Sequence, residues 1–228
     1  YEQMKQDVFE ANVALVKHHL VTLTWGNVSG IDRENGLVAI KPSGVDYATM
    51  TPADLVLVDL NGRVVEGKLK PSSDLATHLE LYRAWPTLGG IVHTHAPFTT
   101  SFAQAGAPIP CLGTTHADHF HGEVPCTRML TREEVEGAYE LNTGKVILER
   151  FASLDPVAVP GVIVAGHGPF TWGASPRKAV ENSVALEQIA HMAIATRTIS
   201  PNAETVPSYI LDKHYFRKHG THAYYGQS

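Results

Sequence analysis

His93-Thr94-His95 sets two imidazoles two residues apart. If residues 91 to 95 are extended, both rings leave one face of a strand, a geometry that suits a metal ion. A chain with 13 histidines in 228 residues also produces such pairs by chance, so the pair alone decides nothing. His167 changes the balance. It closes a second apolar run and stands between Gly166 and Gly168, where missing side chains let the backbone turn and a ligand come close. Two strands ending in histidine, side by side in one sheet, would supply three nitrogen ligands. Three protein ligands leave a zinc ion one open position, the catalytic rather than the structural arrangement. Asp74 is a candidate fourth ligand, although a carboxylate at the start of a helical pattern, taken alone, reads first as an ordinary cap.

Three loops carry groups that suit an anion. Pro71-Ser72-Ser73 offers two hydroxyls and the free N–H groups of a helix N-terminus, the usual physics of a phosphate cradle. Lys41-Pro42-Ser43-Gly44 combines a cation, a hydroxyl and an unshielded amide, and Trp25-Gly26-Asn27 is a third polar loop end. Taken singly, each is also an ordinary turn. Residues 114–119, Thr-Thr-His-Ala-Asp-His, have no hydrophobic period and read as a loop in which Asp118 can serve as acid or base. His214, Tyr215, His219, Tyr224 and Tyr225 crowd a C-terminal tail that would ordinarily fray; such aromatic tails dock on something, often a neighbouring subunit.

The elements that must position these groups follow from periodicity. Met4, Val8, Ala11 and Leu15 form one stripe of an amphipathic helix over residues 2 to 19. Asn35-Gly36 joins β-like runs 27–32 and 37–41, and Asn61-Gly62 joins runs 55–59 and 63–66, which predicts two hairpins. Helical spacing returns at Leu75, Leu79, Tyr82 and Trp85 until Pro86 and Gly89-Gly90 end it. Residues 91–95 and 162–165 read as strands. Thr131 with Glu134 is a capping box for a helix running towards Leu141, and Ser175-Pro176 opens the last long helix. The order predicts one α/β domain over residues 1–228, a mixed sheet covered by helices.

Composition removes several classes. Hydrophobic residues at 43% exclude a disordered chain, and charged residues at 18% fall below the roughly 25% of an average soluble domain, which points to surface used in subunit contacts. A net charge of -5 without any run of like charge argues against nucleic acid or anionic membrane as main partner. With no apolar stretch near membrane length and a polar beginning, the expectation is a cytoplasmic protein. Cys111 and Cys126 are too few and too far apart for a disulfide framework or a cysteine zinc site.

Taken in order, residues 24–29 (Thr-Trp-Gly-Asn-Val-Ser), 41–45 (Lys-Pro-Ser-Gly-Val), 71–74 (Pro-Ser-Ser-Asp), His93-Thr94-His95, 114–118 (Thr-Thr-His-Ala-Asp), His167-Gly168-Pro169 and the closing 213–215 and 225–227 resemble the class II aldolase family, and within it the pentulose-phosphate 4-epimerases. The likeness runs end to end. It implies a central, largely antiparallel sheet flanked by helices on both faces, a homotetramer with active sites between subunits, and a sugar phosphate substrate. It further implies that His93, His95 and His167 hold zinc or another divalent ion, with Asp74 ligating or close by. Gly26, Asn27, Ser43, Gly44, Ser72 and Ser73 match substrate and phosphate loops, with Lys41 beside them. Asp118 matches one proton donor/acceptor, and Tyr225, supplied from the adjacent subunit, matches the other. His214 and Glu140 fall near the site. The implied reaction interconverts L-ribulose 5-phosphate and D-xylulose 5-phosphate. Fuculose and rhamnulose phosphate aldolases of the family carry Glu where this chain has Asp74, which favours epimerisation; an aldolase is the alternative. A non-catalytic adducin-like domain is a third reading, opposed by the intact histidine set.

Overall fold

A computed structural model describes residues 1–221 and 223–225; Gly226 and Gln227 of the closing motif lie outside the described residues. The first helix, α1 (Glu2–Lys17), buries its expected stripe, with Val8, Ala11 and Leu15 inside. Both hairpins form: β1 (Gly26–Asp32) with β2 (Leu37–Ile40), and β3 (Val56–Asp59) with β4 (Val64–Glu66), after a single 3-10 turn at Pro52–Asp54. Gly36 at φ +63° and Gly62 at φ +81° sit in the left-handed region that their turns require. Then come α2 (Leu75–Ala84), β5 (Gly90–Thr94) and α3 (Pro97–Ala105).

The second half departs from the periodicity in four places. Residues 114–119 are not a plain loop: Thr114–Ala117 forms a helical turn, α4. The capping box at Thr131 and Glu134 is present, but its helix, α5 (Arg132–Glu136), stops at Gly137 and a separate α6 (Tyr139–Arg150) follows. After β6 (Gly161–Val164) the chain turns back at once as β7 (Gly168–Gly173), a strand hidden in the sequence because Gly168, Pro169 and Gly173 read as turn residues. Ser175 caps α7 (Pro176–Ile199) as expected, its hydroxyl accepting from the Lys178 amide at 3.2 Å. The tail does not fray, since Ser208–Phe216 forms α8.

Seven strands make one sheet in the order β4-β3-β2-β1-β5-β7-β6. Every strand pair in it is antiparallel, which corrects the mixed sheet expected from element order and agrees with the family resemblance. Helices cover both faces. Adjacent residues of a strand point to opposite sides: Val28 packs with Ala11, Leu15, Val92 and Val180 beneath α1 and α7, whereas the Ser29 hydroxyl meets His78 at 2.7 Å and Tyr82 at 2.9 Å on α2.

The turn into α7 runs against β5 so closely that a Cβ on Gly90 would lie 2.4 Å from the Pro176 nitrogen and 2.5 Å from its Cα. Both obstacles are backbone and cannot rotate away. Gly90→Ala should therefore cost about 3 kcal/mol, the upper end for overpacking, read as a lowered denaturant midpoint. Gly113→Ala, whose Cβ meets nothing within 4 Å, should cost about 1 kcal/mol or less. Equal midpoints for the two variants would refute the packing argument.

Candidate metal centre

β5 delivers His93, His95 follows just beyond its end, and His167 occupies the turn between β6 and β7. The three are neighbours because β7, not β6, pairs with β5: His93 stands opposite Phe170, and its Nδ1 donates to the Pro169 carbonyl at 2.9 Å. The two histidine-ending strands, β5 and β6, are not side by side as their sequence suggests, because β7 lies between them. The rings form a triangle with centroids 4.7, 4.9 and 5.2 Å apart, and one donor atom from each lies within 4.8 Å of the others.

This donor set fits a divalent metal ion. The carbonyl partner fixes the proton of His93 on Nδ1 and leaves Nε2 to ligate; that Nε2 lies 3.1 Å from His95 Nε2. Burial works against protonation of two of the rings, depressing His95 and bringing His167 down to about 3, so for these two the neutral, metal-binding form prevails at ordinary pH. All-nitrogen coordination suits zinc. The Tyr139 hydroxyl stands 3.3 Å from His167 Nδ1; nothing in the sequence pointed to it.

Asp74 occupies the N-cap position of α2 yet makes no cap hydrogen bond. Its Oδ2 instead accepts from Asn27 Nδ2 at 2.6 Å, and it stands outside the compact donor group of the three histidines. Burial pushes its pKa up, but the facing His93 and His78 imidazoles and the Asn27 hydrogen bond bring it below the usual carboxylate range.

A cavity of about 550 Å³ opens over the trio, a size suited to a small metabolite. Gly26, Asn27 and Asp74 line it on one side, Ser43, Gly44, Ser72 and Ser73 on another, with Tyr139 and Glu140 from the start of α6. The two serine loops are paired to each other, Ser43 N donating to Lys70 O at 2.9 Å and Ser72 N to Lys41 O at 3.0 Å. The donors these loops leave able to face the cavity are the hydroxyls of Ser43, Ser72 and Ser73 with the Gly44 and Ser73 amides. Lys41 lines the cavity as well. Its ammonium donates to the carbonyls of Val45 at 2.6 Å and Pro42 at 3.3 Å and lies 4.7 Å from the Tyr47 ring centre, while burial lowers its pKa. These carbonyls tie the charge to its own loop at the cavity wall. A larger cavity, about 690 Å³ between α1 and α7, is lined by Ala11, Ala14, Val180 and Val184 with Asp7, Glu10, Arg177 and Glu181 and holds none of the three clustered histidines; chemistry, not volume, locates the site.

Asp118, His214 and Tyr225 do not line this cavity. They form a second cluster where α8 meets α4. The Asp118 carboxylate accepts from Arg217 at 2.8 and 3.1 Å and from His214 Nδ1 at 3.1 Å, with the Lys218 ammonium at 3.4 Å. Burial raises the Asp118 pKa, but these partners, Arg217 foremost, hold it below the ordinary value. The Tyr225 ring lies against the same cations. Within one chain, Asp118 and Tyr225 thus share one cluster. Arg217 went unnoticed in the sequence, although it lies one helical turn beyond His214, a spacing that puts both on one face.

A family model described as Class II Aldolase and Adducin N-terminal domain matches residues 6–194. The chain belongs to this family. Among solved structures, this class II aldolase-family chain is similar to an L-fuculose 1-phosphate aldolase, with 26% identity over 93% of this chain and 94% of that one and a TM-score of 0.79. L-fuculose 1-phosphate aldolase from Glaciozyma antarctica aligns at 18% identity over 97% of this chain and 84% of its own, TM-score 0.78. The corresponding aldolase from Thermus thermophilus aligns at 23% identity, covering 90% and 100%, TM-score 0.67. The last two likenesses establish the class II aldolase fold alone. No helix among the described residues is long and apolar enough to cross a membrane.

Proposed function

We propose that this class II aldolase-family chain interconverts L-ribulose 5-phosphate and D-xylulose 5-phosphate. The supporting observation is the convergence of His93, His95 and His167 on a cavity whose far wall is the paired serine loops. In a 2-ketopentose 5-phosphate the C4 hydrogen is not α to the ketone, so a base cannot invert C4 by removing it. The C4 hydroxyl is β to the ketone. Loss of its proton lets the C3–C4 electron pair pass to the ketone half, leaving an enediolate and glycolaldehyde phosphate. Re-addition to the other face of the aldehyde inverts C4.

A bound divalent ion would supply a Lewis acid for the negative charge developing at the C2 oxygen. The chain's own groups meet the remaining demands. Ser43, Gly44, Ser72 and Ser73 anchor the phosphate so that the aldehyde turns without escaping. Asn27 and Asp74, joined by their hydrogen bond, border the reacting carbons. Asp118 and Tyr225 of a neighbouring copy, with His214, move protons on the two faces. That last assignment requires a homo-oligomer, a tetramer by the family resemblance. It accords with the exposure of Leu23 at 73%, Trp25 at 53% and Tyr225 at 59% in the isolated chain.

Release of both fragments as a sugar-phosphate aldolase is the second reading, favoured by the 26% identity to an L-fuculose 1-phosphate aldolase. Products decide between them. L-ribulose 5-phosphate should yield D-xylulose 5-phosphate with little free glycolaldehyde phosphate, and Ser73→Ala should raise the leaked fraction about tenfold by removing one phosphate hydrogen bond. Lys41→Met should leak too, through a loosened loop. Stoichiometric fragments without D-xylulose 5-phosphate would give the reaction to the aldolase.

A further inference from the structure

Asp118 and Tyr225 lie far apart in the chain, and two neighbouring side chains, Arg217 and Lys218, touch both. The Arg217 guanidinium donates to both oxygens of Asp118, at 3.1 and 2.8 Å, and its carbon lies 4.8 Å from the Tyr225 ring centre. Its backbone carbonyl accepts from the Tyr224 and Tyr225 amides, each at 2.9 Å. The Lys218 ammonium lies 3.4 Å from Asp118 Oδ2 and 4.4 Å from the Tyr225 ring centre, and His214 reaches Asp118 at 3.1 Å, each by one contact to the carboxylate. The forked guanidinium alone fixes the carboxylate plane, while the same residue's main chain folds the tail back beside it.

We infer that Arg217 is a positioning residue that holds Asp118 and Tyr225 as one proton-transfer unit, presented by each chain to the metal cavity of its neighbour. The inference rests on the reading that Asp118 and Tyr225 carry protons. A positioning role for Arg217 follows from what occupies its guanidinium: the edge is taken by Asp118 and a face by the Tyr225 ring. Its loss should then disturb turnover rather than binding. A displacement of about 1 Å at a reacting group is enough for about a hundredfold loss of rate.

The test uses the full-length, zinc-loaded oligomer with L-ribulose 5-phosphate. Arg217→Gln and Arg217→Ala should lower kcat about a hundredfold while KM stays within about threefold, with zinc content, circular dichroism and oligomer mass unchanged. Arg217→Lys, which keeps the charge and loses the fork, should remain about tenfold below the unmodified enzyme and covers the case in which the shorter side chains fail to fold. Added guanidinium should restore part of the kcat of Arg217→Ala, and none in the Arg217→Ala, Asp118→Asn double variant. Unchanged kcat in Arg217→Lys and Arg217→Gln, a rise in KM alone, or a folded Arg217→Ala that guanidinium does not rescue would each overturn the inference. An active Asp118→Asn enzyme, or an unmodified protein without epimerase activity, would remove the underlying reading and the inference with it.

Discussion

Asn in place of His93 removes metal and turnover together. The substitution deletes the Nε2 that faces His95 at 3.1 Å, and with it the Nδ1 contact that orients the ring on Pro169. Two imidazoles remain, too few for a closed three-ligand site. Purified His93→Asn should carry well under about one zinc per ten chains, measured by elemental analysis, against about one per chain unmodified. Since the ion's contribution to charge stabilisation is several kcal/mol, turnover should fall by about a thousandfold or more. Chelation of the unmodified protein should do the same, and added Zn²⁺ should reverse it. Asn also gives up the stacking of the His93 ring on Phe170, 4.2 Å between ring centres, so circular dichroism should accompany the metal analysis to show the fold retained. Full activity in metal-free protein would end the mechanism.

The second large effect concerns mixtures. His93→Asn spoils the metal cavity and leaves the Asp118 cluster whole; Asp118→Asn does the reverse. Each alone should be inactive. If every site joins the cavity of one chain to the Asp118 cluster of the next, random mixing of subunits gives about one quarter of sites with both parts intact, and about that fraction of activity should return after dissociation and reassembly. Mixing Asp118→Asn with a protein truncated before Tyr224 should recover nothing, because Arg217 ties Asp118 and Tyr225 within one chain and neither partner offers a whole cluster. Mixed oligomers, verified by mass, that stay inactive in the first experiment would show that the two clusters do not serve a common site.

Local patterns were readable where the physics is local. Asn35-Gly36 and Asn61-Gly62 sit in the turns they predict, and Ser175 caps α7 through its own hydroxyl. The histidine trio was legible too, because His93-x-His95 and Gly166-His167-Gly168 are short-range signals. What stayed hidden depends on partners far along the chain. β7 begins with Gly168 and Pro169, which on their own say turn; pairing with β5 and β6 on either side makes it a strand. Lys41 announced a charge but not its direction, which the carbonyls of Pro42 and Val45 decide. The Asp118–Arg217 contact spans 99 residues, a separation no periodicity encodes.

The pairing of β5 with β7 also governs when the trio can exist. His93 and the Pro169 carbonyl that orients it are 76 residues apart, so the ligands meet only after a long loop has closed, a step that comes late and slowly in folding. During synthesis the stretch from Asn27 to His95 leaves the ribosome well before His167, and it can form most of the cavity wall without the centre. A zinc ion that needs all three rings recognises only the finished sheet. Added zinc should therefore raise the melting temperature by mass action on the native state while leaving early folding phases untouched.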